Sequence, residues 1–344
     1  MDSLTQFALG AAVGETVLGR KIGNKAIWLG GLFGTIPDLD VMLNFALETT
    51  MKLRVHRGYS HSIFFAIVFG AFAAWALKKI FKKDDLSFNN WYWFSFLTLI
   101  THCLLDSFTT YGTQLFLPFS DFRVGFNNIF VADLFYTIPL LLGVLAALLF
   151  VRNNNKRRWV NWLGIGISSL YMLFTFGAKF YTNNIFEKNL ALQNIDYERY
   201  TTSPTPLNAF FWGITAEGKD GYWLGHYSIF DKASNNIEFT YLRKQPNLRK
   251  RFIDYKKFEN LTWFSSDFYI LTQKADRVDY VDLRFGPMDY ANIDRITFPF
   301  YFKIKDSENG NDIDVFESRE VPEIDGGFKE YFNRYWARVV GRVG

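Results

Sequence analysis

Apolar runs and polar breaks divide the chain into two unlike parts near residue 180. The first part has long apolar stretches separated by short polar connections, and the second has shorter runs of aromatic and β-branched residues. Because about 20 apolar residues cross a hydrocarbon core of roughly 30 Å, the first part predicts membrane helices at 4–19, 26–47, 61–77, 91–108, 131–151 and 159–180. The first of these is short and rich in glycine and alanine, which suits close helix packing or a partial insertion. We therefore expect five or six spanning helices.

The second part has the pattern of a β-rich domain. Runs at 208–216 and 222–230 flank Glu217-Gly-Lys-Asp-Gly221, which predicts a hairpin. Further strand-like runs and a short amphipathic helix are predicted at 237–242, 268–272, 279–285, 297–304 and, for the helix, 328–340. The predicted fold is thus mixed: an N-terminal polytopic α-helical membrane domain that holds a metal site (1–181), a linker that ends in Thr201-Thr-Ser-Pro-Thr-Pro206 (182–206), and a C-terminal β-rich soluble domain (207–344).

Charge follows the same division. Residues 1–180 hold 16 Lys and Arg and 10 Asp and Glu, whereas residues 181–344 hold 22 and 24. The low charge density of the first part argues against a soluble enzyme. The basic residues lie in short clusters between apolar runs, so the net charge of +4 does not indicate nucleic-acid binding. Such clusters are typical of membrane topology signals.

The basic clusters also predict an orientation. If all six segments span, the connections at 20–25, 78–83 and 152–158 contain 11 Lys and Arg, and the alternate connections contain four. Connections rich in Lys and Arg remain in the cytoplasm. We therefore expect a multi-pass membrane protein with the β-rich domain on the extracytoplasmic side; that the membrane is the inner, cytoplasmic one is implied by the family resemblance given below.

Three motifs place ionisable side chains in or beside the apolar segments, where each costs about 2.5–3.5 kcal/mol on insertion scales. The motifs are Pro37-Asp-Leu-Asp40, His56-Arg-Gly-Tyr-Ser-His61 and Thr101-His-Cys-Leu-Leu-Asp106. His102 and Asp106 are four residues apart, so they share one face of a helix. Asp38 and His102 lie at similar depths along their predicted helices. We expect the three motifs to meet near the outer face.

Imidazoles and carboxylates in one place suit a divalent metal ion. The candidate ligands are Asp38, Asp40, His56, His61, His102 and Asp106, with Zn²⁺ as the first choice of metal and Mn²⁺ or Fe²⁺ as alternatives. A cation would compensate the buried negative charge of the aspartates. The alternative for any one of these residues is a helix–helix hydrogen bond or part of a proton path. Cys103 is the single cysteine, which excludes a cysteine-based zinc knuckle.

The order of the motifs resembles the YdjM-like family of bacterial inner-membrane proteins, which are described as predicted metal-dependent hydrolases. The resemblance extends to about residue 140 and rests on Met1-Asp-Ser-Leu-Thr5, Pro37-Asp-Leu-Asp40, His56-Arg-Gly-Tyr-Ser-His-Ser62 and Thr101-His-Cys-Leu-Leu-Asp106 followed by Tyr111-Gly112. It implies a metal centre related to that of zinc-dependent phospholipase C and P1-type nucleases, with the same six residues as ligands. One departure is Gln6, where family members often have a histidine.

The site and its depth predict hydrolysis of a phosphoester or other ester, in a lipid or lipid-linked substrate, by metal-activated water. Arg57 could hold an anionic oxygen, and Asp38 or Asp40 could act as the base if it is not a ligand. Membrane lipid is the expected partner, and nucleic acid is not. The rival hypothesis is a non-catalytic envelope or assembly protein whose metal or hydrogen bonds brace the helices. A transporter would need a polar path that continues to the cytoplasmic side.

Overall fold

The computed structural model describes residues 1–232, 234–287, 298–307, 311–318 and 327–342. The chain divides into two compact units. The first comprises Met1–Phe45, Val55–Phe176 and Pro206–Asn208, and the second comprises Ala46–Arg54, Gly177–Thr205 and Ala209–Gly344. This division differs from the predicted boundaries at 181 and 206, because residues 46–54 group with the second unit although they lie between two segments of the first.

Helices make up most of the first 192 residues. The α-helices are α1 (Ser3–Ile22), α2 (Asn24–Thr35), α3 (Thr49–Val55), α4 (Ile63–Ile80), α5 (Phe88–Ser107), α6 (Leu134–Leu148) and α7 (Asn155–Leu192), and short 3₁₀ helices occupy Pro37–Phe45, Tyr59–His61 and Lys82–Asp84. All six predicted apolar segments are therefore helical. The segment 26–47 is broken, however, because the chain bends by 45° between α2 and the 3₁₀ helix Pro37–Phe45. Pro37 has no backbone N–H, so it cannot continue the hydrogen-bond pattern of α2.

Two of the described helices, α4 and α7, are long and apolar enough to cross a membrane. The bent pair of α2 and Pro37–Phe45 would be a third if it forms one span. Both α4 and α7 expose large apolar side chains, such as Phe72 and Leu170, as expected of helices that face lipid. With 15 residues, α6 falls short of the roughly 20 that a span needs. The first unit is thus a helical region with two or three candidate spans, and five or six spans stay a prediction.

Helix α1 lies at the centre of the first unit, where it packs against α2, α5 and α6. Small residues allow this packing: a Cβ atom on Gly14 would lie 2.9 Å from the Cα of Gly30 in α2, and a Cβ on Gly34 would lie 2.9 Å from the Cα of Gly10. Only glycine permits backbones to approach this closely. The close contact of α1 with α2 fixes the position at which the Pro37 motif begins.

The second unit contains two antiparallel sheets. The strands are β1 (Arg199–Pro204), β2 (Phe211–Glu217), β3 (Gly221–Ser228) and β4 (Phe239–Arg243) in one sheet, and β5 (Tyr269–Gln273), β6 (Val278–Asp282), β7 (Tyr301–Asp306) and β8 (Ile313–Ser318) in the other, each in sequential order. The helices α8 (Pro246–Phe252) and α9 (Lys256–Ser265) connect the sheets along the chain, and α10 (Gly327–Val339) follows β8. Tyr222 and Leu224 of the first sheet pack with Phe268, Val281 and Leu283.

The predicted hairpin is confirmed, since Phe211–Glu217 and Gly221–Ser228 pair in antiparallel register. The predicted runs 237–242, 268–272 and 279–285 overlap β4, β5 and β6, and 328–340 overlaps α10. The run 297–304 overlaps β7, although Thr297 itself lies outside the described residues.

The segment 182–206, which the sequence predicts as a linker, contains regular structure. It holds the last turns of α7 and the strand β1. Two prolines suggested a linker because proline cannot donate to a central strand. Pro204 is tolerated because it ends β1, which is the edge strand of its sheet.

Candidate metal centre

Four of the six candidate ligands come together within the first unit. Asp38, His61, His102 and Asp106 each offer one ligand atom, and these atoms all lie within 4.8 Å of one another. The side chains of His61, His102 and Asp106 are buried, whereas that of Asp38 is 22% exposed. The three motifs therefore meet as expected: the first contributes Asp38, the second His61, and the third His102 and Asp106.

The spacing of the donor atoms suits a single ion. His61 Nε2 lies 3.1 Å from His102 Nε2, and Asp38 Oδ1 lies 3.3 Å and 3.6 Å from these two atoms. Asp106 Oδ2 lies 3.4 Å and 3.7 Å from the same two nitrogens. Ligands bound at about 2.0–2.2 Å in a tetrahedral site are separated by about 3.3–3.6 Å. Five of the six donor–donor distances are thus close to those of a four-ligand metal site, and all six are within 4.8 Å.

Hydrogen bonds fix which nitrogen of each imidazole faces the centre. His102 Nδ1 lies 2.6 Å from the backbone oxygen of Gly34, and a carbonyl only accepts, so Nδ1 carries the proton. His61 Nδ1 lies 3.0 Å from Ser60 Oγ and 3.3 Å from Asp40 Oδ2. Ser60 donates its own proton to Asp40, so His61 Nδ1 also donates. In the neutral tautomers both Nε2 lone pairs then point into the centre, where a cation would relieve their repulsion.

Asp40 and His56 lie outside the four-residue cluster. Asp40 is buried and accepts hydrogen bonds from the backbone N–H of Arg57 at 3.0 Å and from Ser60 Oγ at 3.0 Å. Its other oxygen lies 2.9 Å from His56 Nδ1. A carboxylate that accepts a hydrogen bond from one imidazole nitrogen orients the other nitrogen towards a metal ion. The prediction that Asp40 and His56 are themselves ligands stays a prediction; Asp40 contacts His61 Nδ1 through Oδ2 and His56 Nδ1 through Oδ1.

Asp106 is held by three groups besides the imidazoles. Gln6 donates to Asp106 Oδ1 at 2.7 Å, and the amino group of Met1 forms an ion pair with the same oxygen. Arg57 Nε lies 3.0 Å from Asp106 Oδ2. Neither Arg57 Nε nor Asp106 Oδ2 has a hydrogen-bond partner of good geometry among the described residues. Asp106 Oδ2 is thus a buried carboxylate oxygen without a well-placed hydrogen-bond donor, beside two inward-facing imidazole nitrogens. These are the properties expected of a metal ligand.

Arg57 is buried and tied into this region. Its Nη1 donates to Thr109 Oγ1 at 2.7 Å, and its guanidinium lies 4.8 Å from the ring centroid of Tyr111. Its backbone has φ of +59°, which costs a non-glycine residue of order 1 kcal/mol. The N–H bond to Asp40 helps to hold that conformation. Arg57 is thus directed towards Asp106, and the predicted role as a holder of a substrate oxygen stays a prediction.

Several residues of the site have no sequence signal of their own. The backbone oxygen of Gly34 selects the tautomer of His102, and Thr109 holds Arg57. Ser60, by contrast, belongs to the motif His56-Arg-Gly-Tyr-Ser-His61, so its place next to His61 could have predicted a role at the site. Gln6 is buried and bonded to Asp106, so the N-terminal turn lines the site although Gln6 departs from the histidine common in the family.

Comparisons with known proteins identify the family of the helical part of the chain. The sequence profile of a family described as "YdjM inner membrane protein" matches residues 1–182. "Uncharacterized protein YfhP" of Bacillus subtilis (strain 168) is 30% identical over 151 residues, which is 42% of this chain and 45% of that protein. The chain thus covers less than half the length of this relative. No solved structure matches the chain. Because the profile covers every residue of the centre and more than half of the 344 residues, the chain belongs to the YdjM family of inner membrane proteins.

Proposed function

We propose that the chain is a membrane-embedded, metal-dependent hydrolase of a phosphoester or other ester in a lipid or lipid-linked substrate. The observation that carries the proposal is the pair of Nε2 atoms of His61 and His102, 3.1 Å apart and flanked by carboxylate oxygens of Asp38 and Asp106. Because both Nδ1 atoms donate hydrogen bonds, the two Nε2 atoms remain as acceptors. A divalent ion bound there would act as a Lewis acid and lower the pKa of a coordinated water.

Access to the centre is from the side of Asp38. It is the one member of the cluster with an exposed fraction above one fifth, and the other three side chains are buried. The same 3₁₀ helix exposes Leu39, Met42 and Phe45. Apolar side chains that flank a polar opening in a membrane protein favour contact with lipid. A substrate with an apolar tail and an ester headgroup could present the headgroup to Asp38 while the tail stays among these side chains.

His56 is the best-placed proton acceptor. Its Nδ1 lies 2.9 Å from Asp40 Oδ1, and its side chain is 24% exposed. A carboxylate that holds one imidazole nitrogen makes the other nitrogen the base. Asp40 already accepts hydrogen bonds from Arg57 and Ser60, which disfavours its protonation. We assign proton transfer to His56 and its orientation to Asp40.

One observation favours the non-catalytic alternative. If all four donors bind Zn²⁺ in a tetrahedron, the site has no open position, as in structural zinc sites. An ion that prefers six ligands, such as Mn²⁺, would leave two positions for water and substrate with the same four donors. The identity of the bound metal therefore decides between a bracing role and catalysis.

The test uses the full chain purified in detergent. Metal content is measured by elemental analysis for wild type and for His61→Gln, His102→Gln and His56→Gln, with His226→Gln of the second unit as the matched control. Hydrolysis of bis(p-nitrophenyl) phosphate and of phospholipid in mixed micelles is measured after chelation and reloading with Zn²⁺ or Mn²⁺.

We expect about one ion per chain in wild type and in His226→Gln, and loss of the ion in His61→Gln and His102→Gln. His56→Gln should keep the ion and lose about 10²-fold or more in rate. A metal-free wild type that cannot be loaded would overturn the proposal. A tightly bound Zn²⁺ with no hydrolysis of either probe would instead establish the bracing role.

A further inference from the structure

A second polar cavity lies in the first unit, between the last turn of α1 and the start of α7. It has a volume of about 200 Å³, which is smaller than the roughly 300–1,000 Å³ of pockets for drug-sized molecules. The cavity therefore suits a smaller ligand, such as a headgroup. None of the metal-centre residues lines it. Its lining includes the basic side chains of Arg20, Lys21, Arg152 and Arg158.

Arg157 and Glu15, which also line the cavity, form an ion pair with each other. Arg157 donates from Nε and Nη2 to the two carboxylate oxygens of Glu15, both at 2.6 Å, and from Nη1 to Asn24 Oδ1 at 2.6 Å. Both side chains are at least 95% buried. Glu15 is the one carboxylate among the described residues that line the cavity. It therefore does not neutralise the other four cations.

Those four cations have no acidic partner within the part of the chain that the structure describes. Arg20 donates to Asn155 Oδ1 at 3.0 Å, and Arg152 donates to the backbone oxygen of Lys21 at 3.1 Å, so both are bound to neutral acceptors. All four side chains are exposed, so solvent screens their mutual repulsion, but four positive charges around one small cavity would still attract an anion. The start of α7 adds the positive end of a helix dipole at the same place.

Asn161 adds a hydrogen-bond acceptor. Its Nδ2 donates to the backbone oxygen of Ala12 and to Thr16 Oγ1, each at 3.0 Å. The bond to a carbonyl oxygen fixes the orientation of the amide. Asn161 Oδ1 is buried and has no donor among the described residues, and buried acceptors of this kind are normally satisfied. Asn161 lines the cavity, but Oδ1 itself is closed to a water-sized probe, so this acceptor would meet a ligand only after the amide turns.

We propose that this cavity binds a phosphate ester, with the four basic side chains on the phosphate oxygens. Guanidinium groups are well suited to phosphate because they donate in a planar fork. Two sources have this chemistry: the headgroup of an anionic glycerophospholipid and a soluble polyol phosphate. The proposal is independent of the metal centre.

The test compares two double variants of the full chain in detergent. Arg152→Gln with Arg158→Gln removes two cations of the cavity, and Lys82→Gln with Lys83→Gln removes two exposed cations beyond the end of α4. Equilibrium binding is measured for phosphatidylglycerol and phosphatidylcholine in mixed micelles, and for glycerol 3-phosphate in solution. Thermal unfolding of each variant checks that it is folded, and Arg152→Gln alone serves if the double variant is not.

We expect the cavity variant to weaken phosphatidylglycerol binding by about tenfold or more and the control variant to change it less than about twofold. Glycerol 3-phosphate that binds with the same sensitivity would support the site with a soluble ligand, and a loss confined to the lipid would support the headgroup. Equal losses in both variants, or binding of neither phosphatidylglycerol nor glycerol 3-phosphate by wild type, would overturn the proposal.

Discussion

At the scale of single residues, the roles of Asp38 and Asp40 can be separated. Asp38 Oδ1 faces both Nε2 atoms, whereas Asp40 contacts His61 through Nδ1. We expect Asp40→Asn to weaken metal affinity by about 10–100-fold without changing the number of ions bound at saturation, because only the orientation of a ligand is lost. Competition titration against a chromophoric chelator measures the affinity. If Asp40→Asn abolishes binding as fully as Asp38→Asn does, Asp40 is itself a ligand.

His226 makes a prediction about pH in the second unit. Burial and the positive charge of Arg338 lower its pKa to about 3, while the unfolded chain has a value near 6.5. Because the folded pKa is depressed, the stabilisation is complete above about pH 6.5 and is lost as the pH falls towards 3, by up to about 1.4 kcal/mol per unit. His226→Gln should lose less stability on acidification.

The measurement for this prediction is the thermal unfolding midpoint of the second unit, followed in the full chain between pH 7 and pH 4. Only the difference between wild type and His226→Gln is informative, since carboxylates elsewhere titrate over the same range. Parallel curves for the two proteins would show that His226 is not protonated on unfolding in this range.

The candidate site shows how far residue-level prediction reaches. The spacing of His102 and Asp106 predicts a shared helix face, and the cost of buried charge predicts a common purpose for the aspartates and histidines. Neither signal separates Asp38 from Asp40, which are two residues apart. That distinction depends on the backbone turn at Arg57 and on the Gly34 carbonyl, and both are set by tertiary contacts.

At the scale of elements, the contact of α1 with α2 should control the metal centre from a distance. A Cβ on Gly30 would collide with the backbone of Gly10 and lie 2.9 Å from the Cα of Gly14. We expect Gly30→Ala to destabilise the first unit by about 1–3 kcal/mol and to lower metal affinity, because α2 also carries the Gly34 oxygen that orients His102.

Gly166 in α7 supplies the matched control for this prediction. A Cβ at Gly166 would have no atom within 4 Å, so Gly166→Ala should leave metal affinity unchanged and change stability by no more than about 1 kcal/mol. Thermal unfolding and chelator competition on both variants make the comparison. Equal metal affinity in Gly30→Ala and wild type would mean that α2 does not position His102.

Elements were predicted best where one periodic pattern covered the whole length. The hairpin of β2 and β3 is predicted by two aromatic and β-branched runs around a glycine-containing turn, and the long apolar runs predict α4 and α7. The pattern failed where local and tertiary effects compete. Pro37 bends the segment 26–47, and β1 has the composition of a linker but gains its structure from pairing with β2.

At the scale of the whole molecule, the distribution of Lys and Arg predicts which segments share a side of the membrane. Helix α7 has 38 residues, or about 57 Å at 1.5 Å per residue, which exceeds a hydrocarbon core of roughly 30 Å. If α5 and α6 cross as a pair or not at all, the clusters at 78–83 and 152–158 lie on one side in either case. The residues after α7 then lie on the other side. Under that condition, and with α7 crossing, the prediction is the same whether or not α5 and α6 span.

Single cysteines can test this orientation because the natural one, Cys103, is buried and gives little background. Lys83 and Lys219 are both exposed, so Lys83→Cys and Lys219→Cys report on the two sides. With a membrane-impermeant maleimide we expect Lys219→Cys to be labelled in spheroplasts of intact inner membrane and Lys83→Cys only after the membrane is opened. The reverse pattern would invert the orientation, and labelling of both before opening would contradict a crossing by α7. Since the centre is expected near the outer face, the same result decides from which side a soluble chelator can reach it.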